Sequence, residues 1–312
     1  MDKVLGLLFI GDPHLASRNP GYRKDDYPRA ILDKLEWSLD YAAEHCLMPC
    51  LLGDLFHMPR DNGNWLLGEL CEILRGREVL AIYGNHDCRE NELTEDDSLS
   101  ILVRAGLLRM VSEREPWQGL VCGHEVIVGG TSYGHGMPTM RTFLEGVGRD
   151  KIVFWMAHHD VQATDAVGPT RVQPTEIAGV DVVVNGHIHQ PQPDERHGKT
   201  WWLTPGNISR VSRSAREHVP CVLRVWIENG RPAWRRVEVP HALYETCFHE
   251  AVLEERGEAG ESAFVKGLAE LQSRRTAMGE GLEEFLDKNL GQFEPPVQRE
   301  IRKLAEEIRN AT

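Results

Sequence analysis

The sequence predicts an α/β protein in which helices cover a largely buried sheet. Short apolar runs alternate along the chain with segments whose apolar residues recur at helical spacing, a pattern typical of βαβ units. The runs are nearly continuous, as expected of strands that are buried on both faces. After Gly206 the pattern changes to two alternating segments, residues 221–227 and 233–239, which predict a second and more antiparallel sheet.

The elements are predicted in chain order. Apolar runs predict core strands at residues 4–10, 49–52, 79–83, 126–128, 152–157 and 180–184. One helix is predicted from the helical spacing of Ile31, Leu32, Leu35 and Leu39, and another at residues 65–74. Thr94 and Asp97 resemble a capping box before residues 99–102. From about residue 262 to the end, the chain is predicted to be helical.

Composition narrows the class of protein. The chain has 312 residues, 41% of them hydrophobic, which is enough for a large core and an accessory region. The formal net charge of -13 argues against a general polyanion binder, because Lys and Arg supply most of the affinity for nucleic acid. Seven cysteines without a CxxC motif fit a reducing compartment. The N-terminal apolar run is too short for a membrane span and no cleavage site follows it, so a cytoplasmic protein without membrane association is expected.

Side chains of the types that bind metals follow five of the predicted strands. They are Asp12 and His14, then Asp54, then Asn85, His86 and Asp87, then His158 and His159, and finally His187 and His189. Each alone is weak evidence, because a strand-end Asp usually caps a turn and loop histidines are often solvated. Side chains two apart in an extended segment share a face, however, and α/β proteins place their sites where strands end. The set therefore predicts a metal site at one edge of the sheet.

This ordered set of motifs, DxH, GD, GNHD, H and GHxH, resembles the calcineurin-like metallophosphoesterase superfamily over residues 4–240. The resemblance implies a four-layer α/β/β/α sandwich of two mixed sheets flanked by helices, with two divalent metal ions. It further implies one metal held by Asp12, His14 and His189, a second held by Asn85, His158 and His187, and Asp54 bridging them. His159 is the alternative to His158 at its position.

The implied chemistry is hydrolysis of a phosphoester. Mixed nitrogen and oxygen ligands suit Mn²⁺, Fe or Zn²⁺ better than Mg²⁺ or Ca²⁺, and Mn²⁺ is the expected metal. Two such ions lower the pKa of a bridging water, so that hydroxide attacks the phosphate at neutral pH. His86 is expected to stabilise the transition state or protonate the leaving group, and Asp87 to orient His86.

Within the superfamily the sequence is most similar to SbcD-like DNA repair exonucleases, the nuclease subunit of a double-strand-break repair complex. The similarity rests on "GDLFH", which places His57 where those nucleases keep an extra site histidine, on the polar loop after the first motif, and on "TPGNISRVSRS" at residues 204–214. His57 is therefore a candidate catalytic residue, although a supporting role beside the ligands is equally compatible. DNA is the implied substrate, in repair or recombination.

Candidate contacts with DNA come from the same segments. Arg18, Arg23 and Arg210 could neutralise backbone phosphates, although a solvated surface explains these arginines as well. Tyr22 and Tyr27 could stack on bases, or pack in the core.

The chain is predicted to comprise a catalytic domain, residues 1–240, and a helical C-terminal extension, residues 241–312. SbcD-like nucleases continue into a separate capping domain, whereas only a short acidic helical tail follows here. Relatives bind an SMC-like (SbcC-type) ATPase through helices in this region. An apolar stripe here could bind that partner, form a homodimer or pack on its own domain, and its members are Val297, Ile301, Leu304 and Ile308.

Two other functions use the same fold. A small-molecule phosphodiesterase or a protein phosphatase would have the same dimetal centre. A non-catalytic scaffold would have lost several ligands, whereas every expected ligand position is filled in this sequence.

Overall fold

The structure is a computed structural model that describes residues 4–20, 23–138, 151–161, 171–212 and 215–249, together with residues 298 and 302. The chain divides into two compact units, Met1–Glu250 and Ala251–Thr312, and the helices and strands named below lie in the first. The C-terminal apolar stripe and most of the predicted extension lie outside the described residues. The predicted domain boundary at residue 240 stays a prediction.

The elements follow one another in an alternating order. They are β1 (Gly6–Ile10), α1 (Tyr27–Glu44), β2 (Leu47–Leu51), α2 (Asn64–Leu74), β3 (Leu80–Ala81), α3 (Ser98–Arg104), β4 (Arg109–Met110), β5 (Trp117–Val121), β6 (His124–Thr131), β7 (Ile152–Ala157), β8 (Asp160–Val161), β9 (Arg171–Val172), β10 (Val182–Asn185), β11 (Glu195–His197), β12 (Thr200–Leu203), β13 (Cys221–Glu228), β14 (Arg231–Glu238) and α4 (Tyr244–Cys247).

Two six-stranded mixed sheets form the framework. In the first sheet the strand order is β14-β13-β1-β2-β3-β4. Strands β1 to β4 are parallel, β13 pairs antiparallel with β1, and β14 pairs antiparallel with β13. In the second sheet the order is β11-β12-β10-β7-β6-β5, with β12, β10, β7 and β6 parallel. The predicted α/β sandwich of two mixed sheets flanked by helices is confirmed.

Strand β1 shows why the molecule is layered. Its five residues are all buried, and successive side chains point to opposite faces. Leu8 and Ile10 pack with the apolar faces of the helices, whereas Leu7 and Phe9 pack against the second sheet. The Phe9 ring meets Phe154 of β7 across the sandwich, with ring centroids 6.3 Å apart. One apolar core therefore lies between the sheets, and another lies between the first sheet and the helices.

The prediction that residues 221–227 and 233–239 belong to a second sheet is wrong. Strand β13 pairs antiparallel with β1, and β14 pairs with β13, so both strands extend the first sheet. The second sheet is instead built from strands between residues 117 and 203. Alternation of apolar residues indicates which face of a strand is buried, but it carries no information about the neighbouring strand.

The Thr94–Asp97 pair of the predicted capping box is present, but it lies before the helix and does not cap it. Helix α3 begins at Ser98, one residue after Asp97, and the Asp97 side chain makes no capping bond. Its carboxylate accepts hydrogen bonds from the Thr94 backbone N–H (2.8 Å) and from Arg60 Nε (2.8 Å) instead. Asp97 therefore fastens the preceding loop. None of the helices in the described ranges combines the length and apolar character that crossing a bilayer requires.

Candidate metal centre

The predicted ligands follow the parallel central strands of both sheets. Strands β1, β2 and β3 of the first sheet run in the same direction, and Asp12, Asp54 and Asn85 come just after their ends. In the second sheet, β7 and β10 are parallel, and His158 and His187 follow them. The His187 backbone N–H donates to Asp12 Oδ1 (2.9 Å), which links the two sheets at this edge. The site is therefore formed by both halves of the sandwich.

Asp54 is shared by two groups of ligand atoms. Ligand atoms of His14, Asp54 and His189 lie within 4.8 Å of one another, as do those of Asp54, His158 and His187. Asp54 Oδ2 is 3.7 Å from His14 Nε2 and 3.4 Å from His158 Nε2. A carboxylate between two groups of ligands is the arrangement that a bridging ligand requires.

Asn85 and Asp12 contact the second group in different ways. Asn85 Oδ1 is 3.0 Å from His187 Nδ1 and 3.3 Å from His158 Nε2, so the amide oxygen belongs to the second group. Asp12 uses Oδ1 to accept the bond from His187, and its Oδ2 is buried without a hydrogen-bond partner in the described part of the chain. A buried carboxylate oxygen without a donor is costly unless a cation or water satisfies it.

The ligand-bearing backbone adopts a conformation that side chains usually avoid. The φ angles are 39° at Asp12, 51° at His14, 47° at Asp54 and 67° at His187. Non-glycine residues in the left-handed region cost about 1–2 kcal/mol each and are concentrated at functional sites. Backbone bonds between the first two motifs hold this geometry, with His14 N–H donating to the Asp54 carbonyl (2.9 Å). The fold therefore orients these side chains before any cation binds.

Glycine precedes the ligands because nothing larger fits. A Cβ on Gly84 would lie 2.1 Å from Asp54 Oδ1 and 2.6 Å from His158 Cε1. Gly53 has a φ of +94°, and a Cβ there would lie 2.5 Å from His158 Nδ1. The glycines in the GD and GNHD motifs thus let neighbouring loops approach closely enough for their ligands to meet.

Backbone carbonyls set the tautomers of two histidines. His158 Nδ1 is 2.7 Å from the Leu52 carbonyl oxygen, and His86 Nδ1 is 2.9 Å from the His57 carbonyl oxygen. A carbonyl only accepts, so Nδ1 carries the proton in both rings. In His158 this leaves the Nε2 lone pair facing Asp54 and Asn85, as a metal ligand requires.

Burial controls the charges of the centre. It lowers the pKa of His187 to about 3 and that of His189 to about 4, so both rings are neutral ligands at neutral pH. Burial alone would raise the pKa of Asp54, but His158 and His86 hold it well below its usual value. Burial alone would lower the pKa of His158, but the Asp54 carboxylate raises it to about 9. Asp54 is therefore ionised, and a cation binding here would displace the His158 proton.

These donors fit a pair of divalent cations. The set is mixed carboxylate, amide and imidazole, which suits Mn²⁺, Fe or Zn²⁺. His14 Nε2 and His189 Nε2 approach to 2.9 Å, as two ligand nitrogens of one ion do. Asp12 Oδ2 is a further oxygen donor without a partner in the described part of the chain, and burial raises the pKa of this carboxyl to about 7.

The structure places His158, and not His159, in the second group of ligand atoms. His158 belongs to the second group, whereas the His159 backbone is fastened by the Asn185 side chain, through its N–H (3.0 Å) and its carbonyl (3.0 Å). His159 Nε2 is buried and has no hydrogen-bond partner in the described ranges. Burial, followed by the nearby His158, lowers the pKa of His159 to about 4.

His86 and His57 lie together beside the first ligand group. Their rings stack with centroids 5.5 Å apart, and the His86 ring is 4.8 Å from that of His14. Ligand atoms of these three histidines lie within 4.8 Å of one another. The structure thus brings His57 and His86, both candidate catalytic residues, together beside the first ligand group.

Asp87 has a different role from the predicted one. Its two oxygens accept hydrogen bonds from the backbone N–H groups of Phe56 and Gly84, both 2.9 Å. The His57 carbonyl, and not Asp87, orients the His86 ring. Asp87 therefore fixes the loops that carry Asp54 and Asn85 relative to each other.

Two of the three predicted DNA-contacting arginines are buried. Arg23 lies between the rings of Tyr27 (4.8 Å) and Phe248 (4.9 Å) and donates to the Arg210 carbonyl (2.7 Å). Arg210 in turn donates to the carbonyls of His218 (2.8 Å) and Ala242 (3.0 Å). These contacts use both guanidinium groups inside the protein, so the structure does not support their predicted binding to phosphate.

The remaining candidate DNA contacts are Arg18, Tyr22 and Tyr27. Arg18 is exposed on the first loop, and Tyr22 lies outside the described residues. Tyr27 is buried, and its hydroxyl donates to the His14 carbonyl (2.9 Å), so it supports a ligand loop.

Sequence reasoning missed Tyr133. Its ring centroid is 6.0 Å from that of His187 and 6.4 Å from that of His158. Its position after a strand could have indicated it, because Tyr133 closely follows β6. Strand β6 is parallel to β7, so both strands end at the same edge of the sheet. The predicted strand stopped at residue 128, which left Tyr133 far from its end.

The fold and the two ligand groups define an α/β protein with a candidate site for two metal ions. The sequence matches the model of the calcineurin-like phosphoesterase superfamily domain over residues 7–228. The chain belongs to this superfamily, whose members normally use a dimetal centre.

Solved structures resemble the chain at low identity. A hypothetical protein from Thermus thermophilus is 15% identical with a TM-score of 0.45, over 76% of this chain and 100% of that one. An uncharacterised, predicted phosphoesterase from Streptococcus pneumoniae is 13% identical with a TM-score of 0.32, over 76% and 99%. Vacuolar protein sorting 29 from Cryptosporidium parvum is 12% identical with a TM-score of 0.30, over 77% and 100%. No curated protein sequence matched the chain.

Proposed function

We propose that this phosphoesterase is a metal-dependent phosphodiesterase that hydrolyses DNA, in the manner of SbcD-like nucleases. The observation that carries the proposal is the stacked pair of His57 and His86 beside the His14 ligand group. His57 belongs to the GDLFH motif, on which the resemblance to those nucleases partly rests, and His86 belongs to the GNHD motif of the superfamily. An exonuclease or a single-strand endonuclease in repair or recombination is the expected form.

Seven residues would hold the two metals. Asp12, His14 and His189 would hold one, Asn85, His158 and His187 the other, and Asp54 both. When bound, two divalent cations, Mn²⁺ in preference to Fe or Zn²⁺, supply the Lewis acidity that activates water and neutralises phosphate charge.

His86 is suited to deliver a proton to the leaving group. Its Nδ1–H is held by the His57 carbonyl, so Nε2 is the nitrogen that can hold a transferable proton. The stacked His57 ring restricts rotation of His86 and keeps Nε2 in place. A leaving alkoxide is a strong base, and protonating it lowers the barrier to breaking the ester bond.

The test is hydrolysis of linear duplex and single-stranded DNA during a titration with Mn²⁺. The His86→Ala variant is expected to lower kcat about 100- to 10,000-fold while both metals remain bound. Asp54→Asn should lose metal. The matched control is His124→Ala, an exposed histidine at the opposite end of β6. A His86→Ala variant as active as the parent would contradict the role assigned to His86, and no DNA hydrolysis at any Mn²⁺ concentration would contradict the substrate.

A small-molecule phosphodiesterase is the second candidate. It is favoured by the net charge of -13 and by the burial of Arg23 and Arg210, which leave little of the predicted basic surface for DNA. Turnover of bis(p-nitrophenyl) phosphate or a cyclic nucleotide without release of nucleotides from DNA would select this candidate. If DNA is the substrate, few phosphate contacts also predict a weak dependence of KM on salt. The slope of log KM against log salt concentration should be below about 2, since each phosphate contact contributes about 0.7–0.9 to this slope.

Binding to an SMC-like ATPase or to a second copy is part of the proposal. The stripe from Val297 to Ile308 that would carry it lies outside the described residues. Truncation before Gly281 is expected to keep phosphodiesterase activity and to abolish self-association measured by sedimentation. A truncated chain that unfolds would show instead that the stripe packs on its own domain.

A further inference from the structure

The turn after β6 brings a phenol to the second ligand group. The Tyr133 ring lies 6.0 Å from the His187 ring and 6.4 Å from the His158 ring, centroid to centroid. Tyr133 is half-buried, and its hydroxyl has no hydrogen-bond partner among the described residues. A donor next to a phosphate-binding centre is therefore available to a ligand.

This turn is fastened to the segment that carries Asn85 and His86. Tyr133 N–H donates to the Tyr83 carbonyl (3.1 Å), and Tyr83 N–H donates to Ser132 Oγ (3.1 Å). The Tyr83 hydroxyl is 3.2 Å from His135 Nδ1. Gly134 has a φ of +83°, and a Cβ there would lie 2.8 Å from the Asn91 carbonyl oxygen. Tyr133 is thus held at a fixed distance from the ligands, which is how positioning residues are usually supported.

The negative charge of a phosphodiester lies on its non-bridging oxygens, which are therefore its strongest hydrogen-bond acceptors. The ligand atoms around Tyr133 would present lone pairs to a cation, so these atoms themselves cannot donate to the phosphate oxygens. A phenol is a neutral donor that does not compete for the cation, and hydrogen bonds to charged acceptors are about twice as strong as those to neutral ones.

We propose that Tyr133 is a substrate-positioning residue whose hydroxyl donates a hydrogen bond to a non-bridging phosphate oxygen on the His187 side of the centre. The proposal rests on the proposed function, because it requires a phosphodiester substrate. Tyr133 and His86 would then contact the phosphate from opposite ligand groups, Tyr133 to hold it and His86 to protonate the leaving group.

The Tyr133→Phe variant removes only this hydroxyl. With bis(p-nitrophenyl) phosphate as substrate, we expect KM to rise about 5- to 20-fold and kcat to change less than about twofold. Metal content and melting temperature should equal those of the parent. Tyr83→Phe is the matched control, since it removes a nearby hydroxyl that is already bonded to His135 of this turn, and its KM should not change.

Calorimetric titration of the metal-loaded protein with inorganic phosphate separates this proposal from the proposed function. The Tyr133→Phe variant should bind phosphate more weakly by the same factor as its KM rises. If the parent hydrolyses no phosphodiester but the variant still loses phosphate affinity, the proposed function fails and the contact by Tyr133 stands. Unchanged KM and unchanged phosphate affinity in Tyr133→Phe would overturn the proposal, and so would a fall in kcat at constant KM.

Discussion

Asp87 shows how a motif residue can act on the site through the backbone. Its carboxylate receives two N–H groups, from Phe56 and Gly84, and it is fully buried. Asp87→Asn would turn an NH₂ group toward one of these N–H donors and leave that N–H without an acceptor, while the amide oxygen keeps the other. We expect the free energy of unfolding to fall by about 2–3 kcal/mol, measured by urea denaturation.

Activity of the Asp87→Asn variant separates the two roles considered for this residue. A backbone-fixing role predicts loss of stability together with weaker metal binding. Orientation of His86 by Asp87 would instead lower kcat at unchanged stability and metal content, and that result would contradict the structural assignment.

For single residues, the sequence identifies candidate metal ligands better than it identifies the residues that support them. Asp12, Asp54 and His187 each directly follow a glycine at a strand end, and that is a local pattern. The positions of Arg23 and Arg210 depend on carbonyl groups and aromatic rings that are distant in the chain, such as Phe248 and Ala242. A charged residue in a loop is normally exposed, so no local pattern could have shown that these two are buried.

The loop after β3 depends on the absence of a side chain at Gly84. Gly84→Ala would place a methyl group against Asp54 Oδ1 and the His158 ring. We expect about 2–3 kcal/mol of destabilisation and loss of metal, measured by denaturation and by elemental analysis after dialysis.

Gly68 in α2 is the control for this substitution. A Cβ at Gly68 would meet nothing within 4 Å, and alanine is favoured over glycine in a helix interior. Gly68→Ala should therefore raise the free energy of unfolding by about 0.5–1 kcal/mol and leave metal binding unchanged. Equal effects of the two substitutions would show that the contact at Gly84 is unimportant.

Helix α1 carries a buried lysine that makes stability depend on pH. Lys34 donates to the Ile208 carbonyl (3.0 Å), and burial, followed by Arg23 and Arg210, lowers its pKa from 10.5 to about 8. Between pH 8 and pH 10.5, Lys34 holds its proton in the unfolded chain but has lost it in the folded chain. The contribution of Lys34 to the free energy of unfolding therefore rises with pH in this range. Below pH 8 the cost of burying the charge is fully present.

A Lys34→Met variant isolates this effect. The difference in unfolding free energy between parent and variant should shift in favour of the parent by about 3 kcal/mol from pH 7 to pH 10.5. Chemical denaturation at a series of pH values measures this shift. A difference that stays constant over the range would mean that Lys34 keeps its proton when the protein is folded.

For the elements, the sequence predicts the central strands and misses their partners. Strands β1, β2, β7 and β10 lie within or close to their predicted ranges, because each is an apolar run that is buried on both faces. Strand β5 contains Gly119 and alternates buried with more exposed positions, and it gave no clear signal. Pairing of β13 with β1 joins residues that are far apart in the chain, which periodicity does not specify.

In the whole molecule, the candidate centre joins the two sheets. Asp12, Asp54 and Asn85 follow strands of the first sheet, whereas His158 and His187 follow strands of the second. Bound cations should therefore stabilise the folded chain as a unit, by about 2.7 kcal/mol at a concentration 100-fold above Kd.

Urea denaturation with Mn²⁺ and with a chelator measures this stabilisation. The midpoint should be higher with Mn²⁺ in the parent. In the Asp54→Asn variant the two midpoints should coincide. A parent whose midpoint is the same in both conditions would contradict a cation site between the sheets.

The left-handed backbone of the ligand loops bears on how quickly a cation can be captured. Backbone hydrogen bonds of the fold, such as those from His14 to Asp54 and from Leu15 to Leu55, hold these loops, and none of them requires a cation. Capture should then involve only side-chain rotation and loss of hydration water. In a stopped-flow experiment the observed rate should increase linearly with cation concentration, without a plateau set by slow rearrangement of the chain.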